Sequence, residues 1–209
     1  MAIRRREKRT ERSKLDATPP WEIRQREAPE QTTGPYDVRD VPDDEVARID
    51  LGALRVPITD GIDVRLDLNE AKQVISVTLA NADGQMQVSV FAAPRNEGIW
   101  DEVRAELAES LHAQGGTGAD AGDGSFGVEL VGTLPGEGGR VPVRFIGVDG
   151  PRWFLRAMLL GTIATDDKPA APFEDALRQI VVVRGNEPLP VREPVALQLP
   201  PDLTLPEEG

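Results

Sequence analysis

The sequence predicts an α+β fold: a single domain with a mostly antiparallel sheet of about seven strands, packed by two amphipathic helices in the order ββββ-α-βββ-α. Short apolar segments with period-two alternation recur between turn residues, which is typical of antiparallel strands. Two other segments repeat apolar residues every three or four positions, as amphipathic helices do. The 209 residues have 39% hydrophobic content, which suits one core rather than two.

The two ends of the chain are expected to be disordered. Residues 1–45 show no apolar periodicity, contain several prolines and alternate charges densely. Such a composition buries too little apolar surface to offset the entropy lost on ordering. Residues 200–209 are expected to form a disordered acidic tail. We therefore place the single domain at residues 46–199.

Four successive strands open the predicted domain. The segment 62–68 alternates apolar with charged residues, which indicates a strand with one solvated face. Asp83-Gly84 is a strong signal for a tight hairpin turn. Short turns between consecutive strands predict an antiparallel meander. The four strand segments are 49–58, 62–68, 74–79 and 86–92.

The middle of the chain combines a helix with a glycine-rich segment. The spacing of apolar residues predicts a helix over 97–114, with Asn96 as its N-cap and Trp100 on its apolar stripe. Residues 116–127 are expected to be a flexible loop, followed by a strand at 126–134. A second amphipathic helix is predicted to follow a loop at 165–171, with Pro172 in its first turn.

Residues 141–161 are expected to form the central hairpin, because both of its faces are mostly apolar. A two-residue turn on Asp149-Gly150 is excluded, because Pro151 would then occupy a position that must donate a backbone hydrogen bond. We therefore predict a longer loop that pairs Val148 with Trp153. In that register Arg144 and Arg156 lie on opposite faces of a buried element. A buried guanidinium needs a carboxylate or carbonyl partner. We interpret both arginines as structural; the alternative is an anion-binding arginine in a cleft.

Composition excludes several classes of site. With no cysteine and one histidine, the chain has neither disulfides, thiolate chemistry nor multi-histidine metal sites, so no metal and no cofactor are expected. Residues 1–14 carry a net charge of +5, which leaves −17 for the rest of the chain. An acidic body repels nucleic acid, so only residues 4–14 are candidates for weak, nonspecific contact with nucleic acid or a membrane surface.

Location follows from the same composition. The first residues are charged and have no apolar run behind them, and no segment approaches the length of a membrane span. No transmembrane segment and a cytoplasmic location are therefore expected.

The sequence shows no catalytic constellation. The favoured interpretation is a non-enzymatic interaction or accessory module with an unknown protein partner. The alternative is a binding protein or enzyme that uses arginines and carboxylates on an anionic small molecule. The candidate binding surface comprises Arg95, Glu97, Trp100, Asp149, Arg152 and Trp153.

Three segments in combination resemble an uncharacterised actinobacterial family, domain of unknown function 3710. They are FAAPRNEGIWDEVR (91–104), RFIGVDGPRWFLR (144–156) and VVVRG (181–185). The resemblance covers about residues 49–199 and implies a soluble cytoplasmic protein with a variable charged N-terminal tail, but no particular activity. The order of elements is also similar to small α+β folds of the Mog1/PsbP type, which implies a binding or assembly role by analogy only.

Overall fold

The computed structural model describes residues 33–95 and 97–200. Within them the chain forms a seven-stranded antiparallel sheet, a four-stranded sheet and two α-helices. The strands are β1 (Tyr36–Asp37), β2 (Arg48–Asp50), β3 (Leu54–Pro57), β4 (Asp63–Leu68), β5 (Val74–Ala80), β6 (Gly84–Ala92), β7 (Thr117–Gly124), β8 (Gly127–Gly136), β9 (Gly139–Gly150), β10 (Trp153–Gly161) and β11 (Val181–Val182). The helices are α1 (Trp100–Ala113) and α2 (Asp167–Gln179), with a 3-10 helix at Thr162–Ala164. The predicted α+β class, with two helices and a seven-stranded antiparallel sheet, is confirmed.

The large sheet has the strand order β4-β5-β6-β10-β9-β8-β7, so the β9–β10 hairpin lies at its centre. Both faces of this hairpin are covered. One face packs against α2 and the small sheet, in a core that contains Trp153, Leu155 and Phe173. The other face packs against α1, in a second core that contains Trp100 and Phe154. The hairpin is therefore buried on both sides, as its apolar faces indicated.

The turn of this hairpin differs from the prediction. Gly150 pairs with Trp153, and Leu155 pairs with Val148, so the register is displaced by two residues. The predicted long loop is wrong because Pro151 occupies the first central position of a two-residue turn, where its missing N–H is tolerated. Arg152 follows with a positive φ of 67°, as the second central position of a type II turn requires. A displacement of two residues leaves every side chain on its predicted face.

The small sheet has the strand order β1-β11-β3-β2. The segment 49–58 contributes the β2–β3 hairpin to it instead of a strand of the large sheet, and Gly52, with φ +75°, lies at the bend. The meander therefore has three strands, β4 to β6. Residues 33–45 are also not disordered, because β1 pairs in parallel with β11 and the Tyr36 N–H donates to the Ile180 carbonyl at 2.8 Å. The expected disorder of 1–32 and 201–209 concerns residues outside the described part of the chain.

The glycine-rich segment is a strand rather than a flexible loop. β7 pairs with β8 from Thr117 to Gly124, with a register shift between Ala121 and Asp123, and forms one edge of the large sheet. Glycines of β7 and β8 allow close packing under α1: a Cβ on Gly118 of β7 would lie 3.0 Å from the Cα of Ala108, and one on Gly132 of β8 would lie 2.9 Å from Leu111. The composition that suggested flexibility therefore reflects a close approach of helix and sheet.

The helices begin at other positions than predicted. α1 starts at Trp100 rather than residue 97, and the predicted cap Asn96 lies outside the described residues. α2 starts at Asp167, because the Asp166 side chain caps it by accepting from the Lys168 N–H at 3.0 Å. Pro172 is consequently inside the helix and not in its first turn.

Candidate functional site

A large cavity lies where the small sheet meets the turn of the central hairpin. Its volume is about 680 Å³. One wall is formed by residues that follow β1, one by the Pro151-Arg152 turn, and one by residues that follow β11. The charged residues that line it are Asp37, Arg39, Arg95, Arg152 and Arg184. We call this cavity the arginine cleft.

Arg184 is the most buried of these arginines, with 8% of its surface exposed. Its Nε donates to the Arg152 carbonyl at 3.2 Å, and its Nη1 donates to the Glu187 carbonyl at 3.2 Å. Burial, together with the positive charge of Arg152, lowers the pKa of Arg184 from its ordinary value. These hydrogen bonds to backbone carbonyls therefore hold the positively charged guanidinium of Arg184 close to Arg152.

Asp37 connects the wall of the cleft to the core. Its Oδ2 accepts a hydrogen bond from the Trp153 Nε1 at 2.9 Å, and its Oδ1 accepts one from the Arg39 Nε at 2.7 Å. Burial acts to raise the pKa of Asp37, but the hydrogen bonds from Arg39 and Trp153 outweigh it and lower the pKa below the ordinary value. Asp37 is therefore an ionised structural group, and it neutralises Arg39.

Three arginines of the cleft have no salt-bridge partner among the described residues, although the charge of Glu187 acts on Arg184. Among the described residues, no carboxylate lies within 4 Å of the guanidinium of Arg95, Arg152 or Arg184, whereas Arg39 is paired with Asp37. Clefts lined by one sign of charge concentrate the electrostatic field and attract ions of the opposite sign. Guanidinium groups bind carboxylates and phosphates in a bidentate manner. The cleft therefore has the chemistry of an anion-binding site.

The sequence-predicted surface residues are only partly brought together. Arg95 and Arg152 both line the arginine cleft, but Glu97 is exposed and does not line it. Trp153 has no exposed surface and Trp100 is 7% exposed, so neither tryptophan is a surface contact. Both are buried because each completes one of the two cores and has its indole N–H bonded, to Asp37 and to the Val128 carbonyl respectively.

Asp149 serves as a helix cap. Its Oδ1 accepts from the Ile99 N–H at 2.8 Å and its Oδ2 accepts from the Trp100 N–H at 3.2 Å. Burial raises the pKa of Asp149, although these two backbone hydrogen bonds oppose the rise. Gly98 lies against this carboxylate, where a Cβ would be too close to it. Asp149 therefore fixes the start of α1 against the central hairpin.

The two arginines of the central hairpin lie on opposite faces in different settings. Arg144 is buried and forms ion pairs with Glu129 of β8 and Glu174 of α2. Hydrogen bonding to Glu129 raises the pKa of Arg144 further above its ordinary value. Arg156 instead lies 5.2 Å from the ring centroid of Phe91. Burial lowers the pKa of Arg156.

Among the described residues, no group of three or more histidine, aspartate or glutamate side chains is arranged to hold a metal ion. Neither described α-helix has the length and apolar composition needed to cross a membrane.

Comparison with known proteins identifies the family. The model of a family described as protein of unknown function (DUF3710) matches residues 34–205. The chain belongs to this family. No curated protein matches the sequence.

Two solved structures are similar to this DUF3710 chain. One is the solution structure of cyanobacterial PsbP (CyanoP) from Synechocystis sp. PCC 6803, with 12% identity and a TM-score of 0.41, covering 66% of this chain and 92% of that one. The other is the crystal structure of LpqN, involved in cell envelope biogenesis of Mycobacterium tuberculosis, with 14% identity and a TM-score of 0.32. That match covers 72% of this chain and 99% of LpqN.

Two arginines of the cleft were missed by sequence reasoning. Arg39 lies in a segment that was expected to be disordered, and only the parallel pairing of β1 with β11 brings it to the site. Arg184 lies in the VVVRG segment of the DUF3710 chain. That segment contributed to the family resemblance, but no function was predicted for its arginine. The available sequence signal for Arg184 was an arginine directly after the apolar run Val181-Val182-Val183, since an arginine next to buried residues needs a partner.

Proposed function

We propose that this protein is a non-enzymatic binding module whose arginine cleft takes an anionic group from a partner protein. The observation that carries the proposal is the grouping of Arg95, Arg152 and Arg184 around one cavity of about 680 Å³, in a chain with a net charge of −12. Grouped positive charges repel each other, and a bound carboxylate or phosphate relieves that repulsion. A cytoplasmic location remains part of this proposal.

The side chains of the cleft support binding better than proton-transfer catalysis. Guanidinium groups stay protonated at neutral pH and do not exchange protons with a substrate. Asp37 accepts hydrogen bonds from Trp153 and Arg39, and its lowered pKa makes it a weak base. The cleft therefore holds negative charge well but has no group poised near neutral pH.

A small anionic molecule is the second candidate ligand, as substrate or as bound effector. The size of the cleft favours it, because cavities of about 300–1,000 Å³ are typical of small-molecule sites. Nonspecific association of residues 4–14 with nucleic acid or a membrane surface stays a prediction from the sequence.

The test compares the full-length protein with an Arg95→Ala, Arg152→Ala double variant. The probes are a hexaglutamate peptide, which mimics an acidic partner, and inorganic pyrophosphate, both measured by isothermal titration calorimetry. We expect hexaglutamate to bind, to weaken as salt rises, and to lose about tenfold or more in affinity in the double variant. Arg184 is left unchanged, because its backbone contacts also support the fold.

A matched control carries Arg65→Ala and Arg140→Ala, two exposed arginines outside the cleft. This control removes the same charge and should keep the wild-type affinity. Binding of pyrophosphate but not hexaglutamate would replace the protein partner with the small-molecule alternative. If neither probe binds, or if both double variants lose affinity equally, the cleft is not the site.

A further inference from the structure

A second cavity lies under α1, on the face of the central hairpin opposite Trp153. Its volume is about 150 Å³. Its walls are mostly apolar, formed by Phe91, Ile99, Val103 and Phe154, with Arg156 and Arg192 as the charged lining residues. The rings of Phe91 and Phe154 have centroids 6.1 Å apart, so two aromatic surfaces meet in it. We call this the phenylalanine pocket.

Arg156 brings a positive charge into this apolar surrounding. It projects from the middle of β10, between its neighbours Ser89 on β6 and Gly147 on β9. Its guanidinium lies over the ring of Phe91. In the described part of the chain, neither a carboxylate nor any hydrogen-bond acceptor contacts the guanidinium of Arg156. Burial lowers the pKa of Arg156, but an arginine remains charged at neutral pH.

Arg192, on the opposite side of the pocket, is already neutralised. Its Nη1 donates to Glu106 at 2.6 Å and its Nη2 donates to Glu102 at 2.6 Å. Both glutamates project from α1, so this arginine holds the chain that follows β11 against the helix. Arg156 is therefore the charge in the phenylalanine pocket that still lacks a counter-ion among the described residues.

We propose that the phenylalanine pocket binds a small carboxylic acid with an aryl-sized apolar body, its carboxylate paired with the Arg156 guanidinium. A cavity of about 150 Å³ with apolar walls holds one benzene-sized ring. The aromatic walls favour an aromatic ligand through offset or edge-to-face contacts. A single guanidinium pairs with one carboxylate in a bidentate geometry. This site is separate from the arginine cleft and does not depend on its function.

The experiment titrates the full-length, ¹⁵N-labelled protein with sodium phenylacetate and follows backbone amide signals by NMR. We expect saturable shifts at Ile99, Val103 and Phe154, with an affinity of about millimolar for so small a ligand. Phenylacetamide has the same shape without the charge, and should bind the wild type about tenfold more weakly. This comparison needs no variant and stays informative if a substitution disturbs folding.

Variants then separate this site from general electrostatic attraction. Arg156→Gln should weaken phenylacetate about tenfold while phenylacetamide binds as it does to the wild type. Arg140→Gln, an exposed arginine on β9, should change neither affinity. The Arg95→Ala, Arg152→Ala variant of the arginine cleft should also bind phenylacetate normally.

Three results would overturn this assignment. The first is the absence of saturable shifts around the pocket up to about 20 mM phenylacetate, well above the expected dissociation constant. The second is equal binding of the acid and the amide. The third is shifts confined to other surfaces, which would place the acid elsewhere on the protein.

Discussion

Replacement of Arg144 by methionine should be among the most destabilising single changes in this protein. Arg144 is 8% exposed, and its two carboxylate partners, Glu129 and Glu174, are 3% and 8% exposed. Its Nη2 lies 3.0 Å from Glu129 Oε1 and 2.8 Å from Glu174 Oε1. One guanidinium therefore neutralises a residue of the large sheet and a residue of α2 at the same time.

The magnitude follows from this arrangement. Arg144→Met would leave the buried Glu129 without a cation and Glu174 with only its longer contact to Arg178 at 3.4 Å, and breaking a buried ion pair from one side costs about 3–5 kcal/mol. That is a large share of the roughly 5–15 kcal/mol that stabilises a typical domain. Adding Glu129→Gln and Glu174→Gln removes the two carboxylate charges that Arg144 neutralised. The triple variant should therefore recover at least about 2 kcal/mol of the loss, because neutral side chains are cheaper to bury.

Urea unfolding followed by tryptophan fluorescence at about pH 7 measures these differences. Arg140→Met is the matched control, because Arg140 is an exposed arginine on the same strand; it should change the free energy of unfolding by less than about 0.5 kcal/mol. A loss below about 1 kcal/mol for Arg144→Met would refute the reasoning. A triple variant no more stable than the single one would also refute it, because the cost would then not come from unpaired charge.

Three further substitutions test other contacts. Asp37→Asn should cost about 1–3 kcal/mol in urea unfolding near pH 7, because a buried indole N–H loses a charged acceptor. Since the pKa of Asp37 is lowered in the folded protein, this stabilisation is present above the unfolded pKa and is lost as pH falls below about 4, so wild type and variant should converge in acid. Asp149→Ala should lower thermal stability by about 1 kcal/mol and reduce the helical circular dichroism, because two amides at the start of α1 lose their acceptor; unchanged ellipticity and stability would contradict its capping role. Gly147→Ala should destabilise by about 1–3 kcal/mol and shift the tryptophan emission, because its Cβ would overlap the Trp100 ring, whereas Gly138→Ala has open space and serves as the control.

Much of the fold could be predicted because its signals are local. Alternation along 62–68 and the Asp83-Gly84 turn predict β4 and the β5–β6 connection, and both are present. The faces of the central hairpin were also predicted, with Arg144 and Arg156 on opposite sides. Its register was not, because a two-residue turn on Asp149-Gly150 is incompatible with Pro151, whereas the observed turn on Pro151-Arg152 places proline at the position where its missing N–H is tolerated.

The glycine-rich segment shows how one composition supports two structures. Gly118 and its neighbours suggested a mobile loop, since glycine favours irregular chain. They form an edge strand on which α1 packs so closely that a Cβ at Gly118 would meet Ala108 of the helix, while a Cβ at Gly132 would meet the Thr117 carbonyl of β7 as well as Leu111 of the helix. The reason for glycine at these positions lies in a helix that contacts them in space, which a reading of the segment alone does not include.

The candidate site was predicted to a smaller extent. Arg95 and Arg152 were proposed from their positions beside a turn and a helix start, and both line the arginine cleft. Trp153 was proposed as a surface residue, but it is buried because its indole bonds to Asp37, in a segment expected to be disordered. Without the docking of β1, neither the burial of Trp153 nor the presence of Arg39 in the cleft can be inferred.

Local patterns are therefore sufficient for the α+β class, the two helices, the antiparallel sheet and the apolar faces of the central hairpin, because periodicity and turn chemistry act over a few residues. The arginine cleft and the phenylalanine pocket depend on contacts between segments far apart in the chain. Asp37 meets Trp153, and Phe91 meets Arg156, only after the sheets have formed. Whether an arginine is paired or left with a free charge is decided by those contacts, and its chemistry follows from them.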